Sequence, residues 1–489
     1  MMVGQVRGAR VPGSDALIDV AIADGRIASV APSGSLPRTE AAIEAEGRTL
    51  TSGLWDEHVH LRQWALSRSR IDLGPAASAA EALALVARGI ADADGNEVVA
   101  VRARAASWPD TLDRDALDRV ARSGGEQTRI VVVGADLHGC WLNSAALAAR
   151  GRAASGDGHL VEDECFAVVR ELDRSDPESV DREVAAAARA AAARGVVGVV
   201  DLEMRWELGA WQRRELAGFD VLRVESGIYP DDLERAITEG LRSGDAVGPR
   251  GLVRVGPLKI VMDGSLGTGT AWCCAPYADT GGTGRALRSG SELRALMRRA
   301  HGAGLKLAIH AIGDRANAEV LDAYAELGIG GRIEHAQLVR RDDVPRFGVL
   351  GVVASVQPEH LLDDRATADR RWPDRANDAF PLAALLASGA RLAFGSDAPV
   401  APLDPWLAIR AAVTRQRDDD APWAPGQRIS VTQALAASMR GRLAPQPGDA
   451  ADLVLLDADP LRVAPHELDR LPVATTLLGG RVTFGPGLA

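Results

Sequence analysis

The 489-residue chain predicts an α/β fold: a (β/α)8 TIM barrel with a small β-domain formed by both termini and an inserted lid subdomain. Three observations carry that expectation. Eight short apolar runs alternate with Ala/Leu/Arg-rich stretches of helical period, the pattern of βα units around a parallel sheet. Both ends of the chain read as short strands and turns, too small to build a core alone. Between the first and second runs lie residues 64–194, too many for a simple loop.

In chain order, "LIDVAIADGRIASVAP" sets apolar residues around an Asp-Gly turn, a hairpin signal. The late segments "ADLVLLDADP" and "ATTLLGGRVTFG" read alike, so residues 1–52 and 445–489 are expected to join in one β-sandwich-like domain. The barrel is expected over 53–444. Its strands are "GLWDEHVH", "GVVGVVDLE", "VLRVESGIY", "GPLKIVMDG", "LKLAIHAIG", "GRIEHAQL", "VVASVQPEH" and "RLAFGSDAP". Helices fit between them: "SELRALMRRAHGAG", "RANAEVLDAYAELG" and "AFPLAALLASGA", the last two stopping at a glycine. The 64–194 insert leaves the C-terminal end of a strand, which places it over the barrel mouth as a lid.

Composition narrows the function classes. With 46% hydrophobic and 25% charged residues the chain has the profile of a soluble globular protein. A net charge of -11 and no basic cluster argue against a nucleic-acid or acidic-membrane partner. The start lacks the order of a secretory signal and no run approaches about 18 apolar residues, so a cytoplasmic location is expected. Four cysteines (Cys140, Cys165, Cys273, Cys274) make no disulfide framework and are expected to be reduced. The oligomeric state stays open, a homodimer being one option.

The chemistry gathers at strand ends. His58 and His60 in "DEHVHL" are two apart, so on a strand both imidazoles face one side and reach one metal ion. His310 closes "LKLAIH", His335 closes "GRIEH" and Asp397 closes "RLAFGSD". Only two of the 56 basic residues are lysine, Lys259 and Lys306, and Lys259 stands at another strand end. Arginine stays protonated, whereas a lysine amine beside cationic metal loses its proton. It can then add carbon dioxide and become a carbamate able to bridge two metal ions. Lys306 begins its strand and is expected to be exposed.

Those residues, with "ADLHGCWLNSAAL", "LKIVMDGSLGTGTAW", "IHAIGDRAN", "RIEHAQLV", "SVQPEHLLDD" and "AFGSDAPVAPLDPWLAIRAAVTR", resemble the amidohydrolase superfamily, in particular the family 3 branch that includes N-substituted formamide deformylases. The resemblance implies one or two divalent metals, commonly zinc. His58 and His60 look like first-strand ligands, Lys259 the fourth-strand ligand, and His310 and His335 the fifth- and sixth-strand ligands. Asp397 looks like the eighth-strand ligand and base. Two positions depart from the family pattern: Ser52-Gly53 stands for a Pro-Gly turn, and Gly269 stands where arginine is common. The implied reaction is hydrolysis of an amide, N-formyl or N-acyl C–N bond by metal-activated water, with Asp397 as base and then proton donor. His335 or His138 steadies the oxyanion. Trp141, Asn143, Trp272, Gln357 and His360 are the candidate pocket residues for a small-molecule amide. The alternatives are a deaminase of a cyclic C=N substrate and a catalytically silent binding protein. Deaminases of the superfamily usually carry Glu three residues after the fifth-strand histidine, where this chain has Gly313, and generally lack the fourth-strand lysine.

Overall fold

β-branched and aliphatic runs flanked by turn residues form the eight expected barrel strands: β1 (Leu54–Val59), β2 (Val196–Asp201), β3 (Arg223–Ile228), β4 (Val253–Val261), β5 (Leu307–Ala311), β6 (Arg332–His335), β7 (Val353–Val356) and β8 (Leu392–Phe394). The protein is represented by a computed structural model that describes residues 2–91, 96–122, 128–152, 156–172, 176–418 and 420–486. Parts of the predicted insert (92–95, 123–127, 153–155, 173–175) and the end residues of the predicted terminal domain (1, 487–489) lie outside the described residues.

The barrel strands pair in parallel and in sequence order. Closure comes from the β8 end meeting β1: Asp397 N–H donates to His58 O at 2.7 Å and His60 N–H to Ala398 O at 2.9 Å. The Asp56 carboxylate adds a clip by accepting Ser396 N–H at 3.0 Å. Outward residues such as Ile260, Ile309 and Ile333 pack with helix residues Met297, Val320 and Leu321 in one continuous apolar cluster, each buried aliphatic contributing about 1.5–3 kcal/mol. Gly53, preceding β1, is required by close packing: a Cβ there would lie 2.3 Å from Val197 Cγ1.

Helix limits follow local chemistry. A Ser289/Glu292 capping box starts Gly290–Gly302, and left-handed Gly328 ends Asp314–Leu327. Lys306 is exposed, as expected.

Strands from both termini form two four-stranded sheets around one apolar cluster. Its first hairpin turns at Asp24 (φ 50°) and Gly25 (φ 71°), both left-handed as a two-residue primed turn demands. Residues 71–161 contribute a five-stranded sheet with its own apolar clusters. The helix Pro177–Ala192, inside the range predicted for the insert, buries Val180, Val184 and Ala188 with Val59, Val196 and Val199 of the barrel strands. The barrel's helical layer therefore resumes at 177, because that helix's apolar stripe has its partner on β1 and β2.

Candidate active site

β1 delivers His58 and His60 to the barrel mouth, β4 delivers Lys259, and the ends of β5, β6 and β8 deliver His310, His335 and Asp397. All six are buried and line one inner chamber. Asp397 Oδ1 lies 3.3 Å from His58 Nε2 and 3.2 Å from His60 Nε2; Lys259 Nζ lies 3.4 Å from His58 Nε2. His310 and His335 stand edge-to-face with centroids 4.4 Å apart. Two donor triads share Asp397, namely His58–His60–Asp397 and His335–His360–Asp397, each with ligand atoms within 4.8 Å of one another. His310 belongs to neither.

This donor set fits a divalent metal. His60 Nδ1 and His335 Nδ1 are buried without a hydrogen-bond partner among the described residues. Imidazole and carboxylate are the ligands zinc takes. Burial, reinforced by the Lys259 charge, lowers His58 to about 4; burial also carries His310 and His335 well below the usual histidine range. His58, His310 and His335 are therefore neutral, the state that coordinates metal. Burial lowers Lys259 to about 8, against the opposing pull of Glu334 and Asp397. Burial would raise Asp397, but His58, His60 and His335 hold it well below the usual carboxylate range.

Backbone strain aims two of these groups. His335 (φ 72°), Ala336 (φ 42°) and Asp397 (φ 57°) are left-handed non-glycine residues, each costing on the order of 1–3 kcal/mol. The strand-to-loop turns that they make carry both side chains into the mouth rather than onward along the strand.

An outer cavity of about 510 Å3 opens between barrel and insert. Of the sequence candidates, His138, Trp141 and His360 line it, with His310, His335 and Asp397 at its floor. His138 Nδ1 sits 2.7 Å from Glu162 Oε2. Burial alone would lower this imidazole, but the Glu162 carboxylate outweighs it and raises His138 to about 9. Trp141 stacks on His159, centroids 4.3 Å apart.

Asn143, Trp272 and Gln357 do not line that cavity, contrary to expectation. The Asn143 Oδ1 accepts Ile130 N–H and Ala146 N–H while Nδ2 donates to Thr128 O, so this side chain is consumed as a helix cap. Asn143→Ala is expected to cost about 1–2 kcal/mol of stability with KM unchanged, read by thermal unfolding beside kinetics; a raised KM on an intact fold would restore the pocket role. Trp272 is covered by Arg315, whose guanidinium carbon is 4.6 Å from the ring centre. Gln357 is buried under the site, its Nε2 3.3 Å from His58 Nδ1.

Several residues escaped the sequence reading. Glu334 Oε2 lies 2.7 Å from His58 Nδ1, fixing the tautomer that turns Nε2 toward the site. Arg332 ion-pairs with Glu334 and Glu57, and Arg440 with Glu57. The signal was the alternation in "RIEH": charged Arg332 and Glu334 flank apolar Ile333, and in a barrel strand that pattern puts an ion pair inside. Glu162, bonded to Thr268 and Thr270 of the loop after β4, carried no such signal. Glu334→Gln is expected to weaken metal binding about 10–100-fold, measured by competition with a chelator; unchanged affinity would remove it from the ligand-orienting set.

An eight-stranded parallel barrel with buried histidines, a lysine and an aspartate at the C-terminal strand ends has the architecture of metal-dependent barrel hydrolases. The chain belongs to the amidohydrolase family, whose model matches residues 41–484. It is 30% identical over 504 residues to Protein LONG AFTER FAR-RED 3 of Arabidopsis thaliana, covering 90% of this chain and 84% of that one. It is 29% identical over 215 residues to N-substituted formamide deformylase of Arthrobacter pascens, a match spanning 40% of each chain. In fold it resembles an uncharacterized metal-dependent hydrolase from Pyrococcus horikoshii OT3, with a TM-score of 0.77 at 24% identity over 94% of this chain and 98% of that one. Among the described residues no helix is long and apolar enough to cross a membrane.

Proposed function

We propose that the protein hydrolyses the C–N bond of a small-molecule N-formyl or N-acyl amine. The observation that carries this reading is Lys259: a buried amine, lowered to about 8, among five histidines and Asp397. A zinc pair held by His58, His60, Lys259 as a carbamate, His310, His335 and Asp397 would supply hydroxide near neutrality and polarise the carbonyl. Asp397 accepts the proton of the attacking water and returns it to the leaving nitrogen. His138, fixed by Glu162 at the boundary of the two chambers, donates to the carbonyl oxygen as negative charge develops there.

The deaminase reading loses support at Gly313. A Cβ at this position would lie 2.1 Å from Trp272 O, so the acid that deaminases place three residues after the fifth-strand histidine has no room. The neighbouring Asp314 is committed to Cys274 N–H at 2.8 Å. The test is zinc-loaded protein assayed against N-formyl and N-acetyl amines and against cyclic C=N compounds. Release of free amine is the expected result; ammonia from the cyclic compounds alone would establish the deaminase. Metal retention with neither product would establish the silent binding protein.

A further inference from the structure

The cavity has two unequal parts. The inner chamber, about 40 Å3, is walled by the six metal-ligand candidates and is the space a metal would take, whereas the outer is about 510 Å3, the size of a drug-like ligand site. His138, His310, His335 and Asp397 line both, so a substrate carbonyl at that boundary has the rest of its molecule in the outer chamber.

The outer chamber is lined by more acidic than basic side chains, even with His138 counted as a cation. Seven aspartates and three arginines line it, and each arginine is already matched: Arg104 with Asp363 at 2.9 Å, Arg371 with Asp279 at 2.9 Å, and Arg370 with Asp279 at 3.7 Å. Asp136, Asp157 and Asp364 face it with no arginine or lysine partner among the described residues. Asp136 accepts Ser265 Oγ–H at 2.6 Å and Asp364 accepts Gln337 Nε2–H at 2.8 Å, bonds that leave their charge in place. The stacked Trp141–His159 pair lines the same wall and offers a π face, which attracts planar and cationic groups. His360, 7% exposed, adds an Nε2 with no hydrogen-bond partner among the described residues.

We propose that the substrate is an amide that carries an aromatic ring and a further cationic group, these lying on Trp141 among Asp136, Asp157 and Asp364. This rests on the hydrolase reading above for the scissile bond, and on the outer chamber alone for the charge preference.

The test therefore has two arms on the zinc-loaded full-length protein. In the first, calorimetry compares phenyltrimethylammonium, benzyl alcohol and benzenesulfonate, which share a ring and differ in charge. The cation is expected to bind about tenfold tighter than the alcohol, a difference of about 1.4 kcal/mol, with the sulfonate weakest. Asp364→Asn is expected to shrink the preference, and Asp157→Asn, at an exposed position, gives the same reading should the first variant fail to fold. Equal or tighter sulfonate binding, or a preference untouched by both variants, overturns the inference. In the second arm, N-formyl derivatives of a cationic aromatic amine and of a neutral aromatic amine of the same shape are compared. A kcat/KM about tenfold higher for the cationic derivative is expected, about one decade for ~1.4 kcal/mol; equal kcat/KM overturns the inference while leaving the hydrolase intact. Cation preference without hydrolysis of any amide overturns the hydrolase reading and leaves the chamber's charge selectivity standing.

Discussion

Lys259→Arg is expected to reduce kcat/KM by about three decades or more, because several kcal/mol of metal-derived charge stabilisation convert to about a decade per 1.4 kcal/mol. Arginine keeps the positive charge and roughly the length, so a role for Lys259 as a mere cation predicts little change. A guanidinium cannot add carbon dioxide, and it stays protonated beside His58, where it repels the metal. Bound zinc per chain should fall with activity. Lys259→Ala should lose activity similarly and, if Lys259 acts as a carbamate, regain part of it with a short carboxylate such as propionate in its place. The pH dependence is a further check. With the amine lowered from 10.5 to about 8, its neutral, nucleophilic form dominates above pH 8, so bicarbonate-dependent zinc uptake by metal-free protein should rise through pH 8, not near 10.5. A Lys259→Arg protein with full metal and full activity would end the carbamate assignment.

Asp397→Asn is the second large effect, a loss of about 10²–10⁴-fold in kcat with KM little changed, the range that a positioned proton carrier supplies. Asparagine is the informative replacement, since it tolerates the left-handed backbone (φ 57°) and keeps an oxygen facing His58 and His60 but cannot accept the proton. Metal analysis separates the two roles: zinc retained with kcat lost identifies the base, and zinc lost identifies chiefly a ligand. Unchanged kcat would remove Asp397 from the proton path.

Both effects concern residues readable in the sequence, and the reason is geometric. A parallel strand presents its functional side chains where it ends, so His310, His335 and Asp397 could be placed at one mouth from the position of each within its apolar run. Lys259 was legible through residue choice, in a chain that uses arginine almost everywhere else. Asn143 was misread because a capping amide and a substrate-binding amide look alike until the helix it caps is seen. Glu334 was missed because its partner His58 is 276 positions away, and the hydrogen bond between them exists only once the barrel brings β1 and β6 together across its interior.

By itself the sequence determined the class of fold, the eight strands and the six residues gathered at their ends, since these follow from local periodicity and from which residue types can bind a metal. Tertiary structure alone decided which imidazole nitrogen faces the site, how His138 is held by Glu162, and which carboxylates line the outer chamber. Each of those depends on contacts between segments far apart in the chain, whose energies are set by burial and by the charges that folding places side by side.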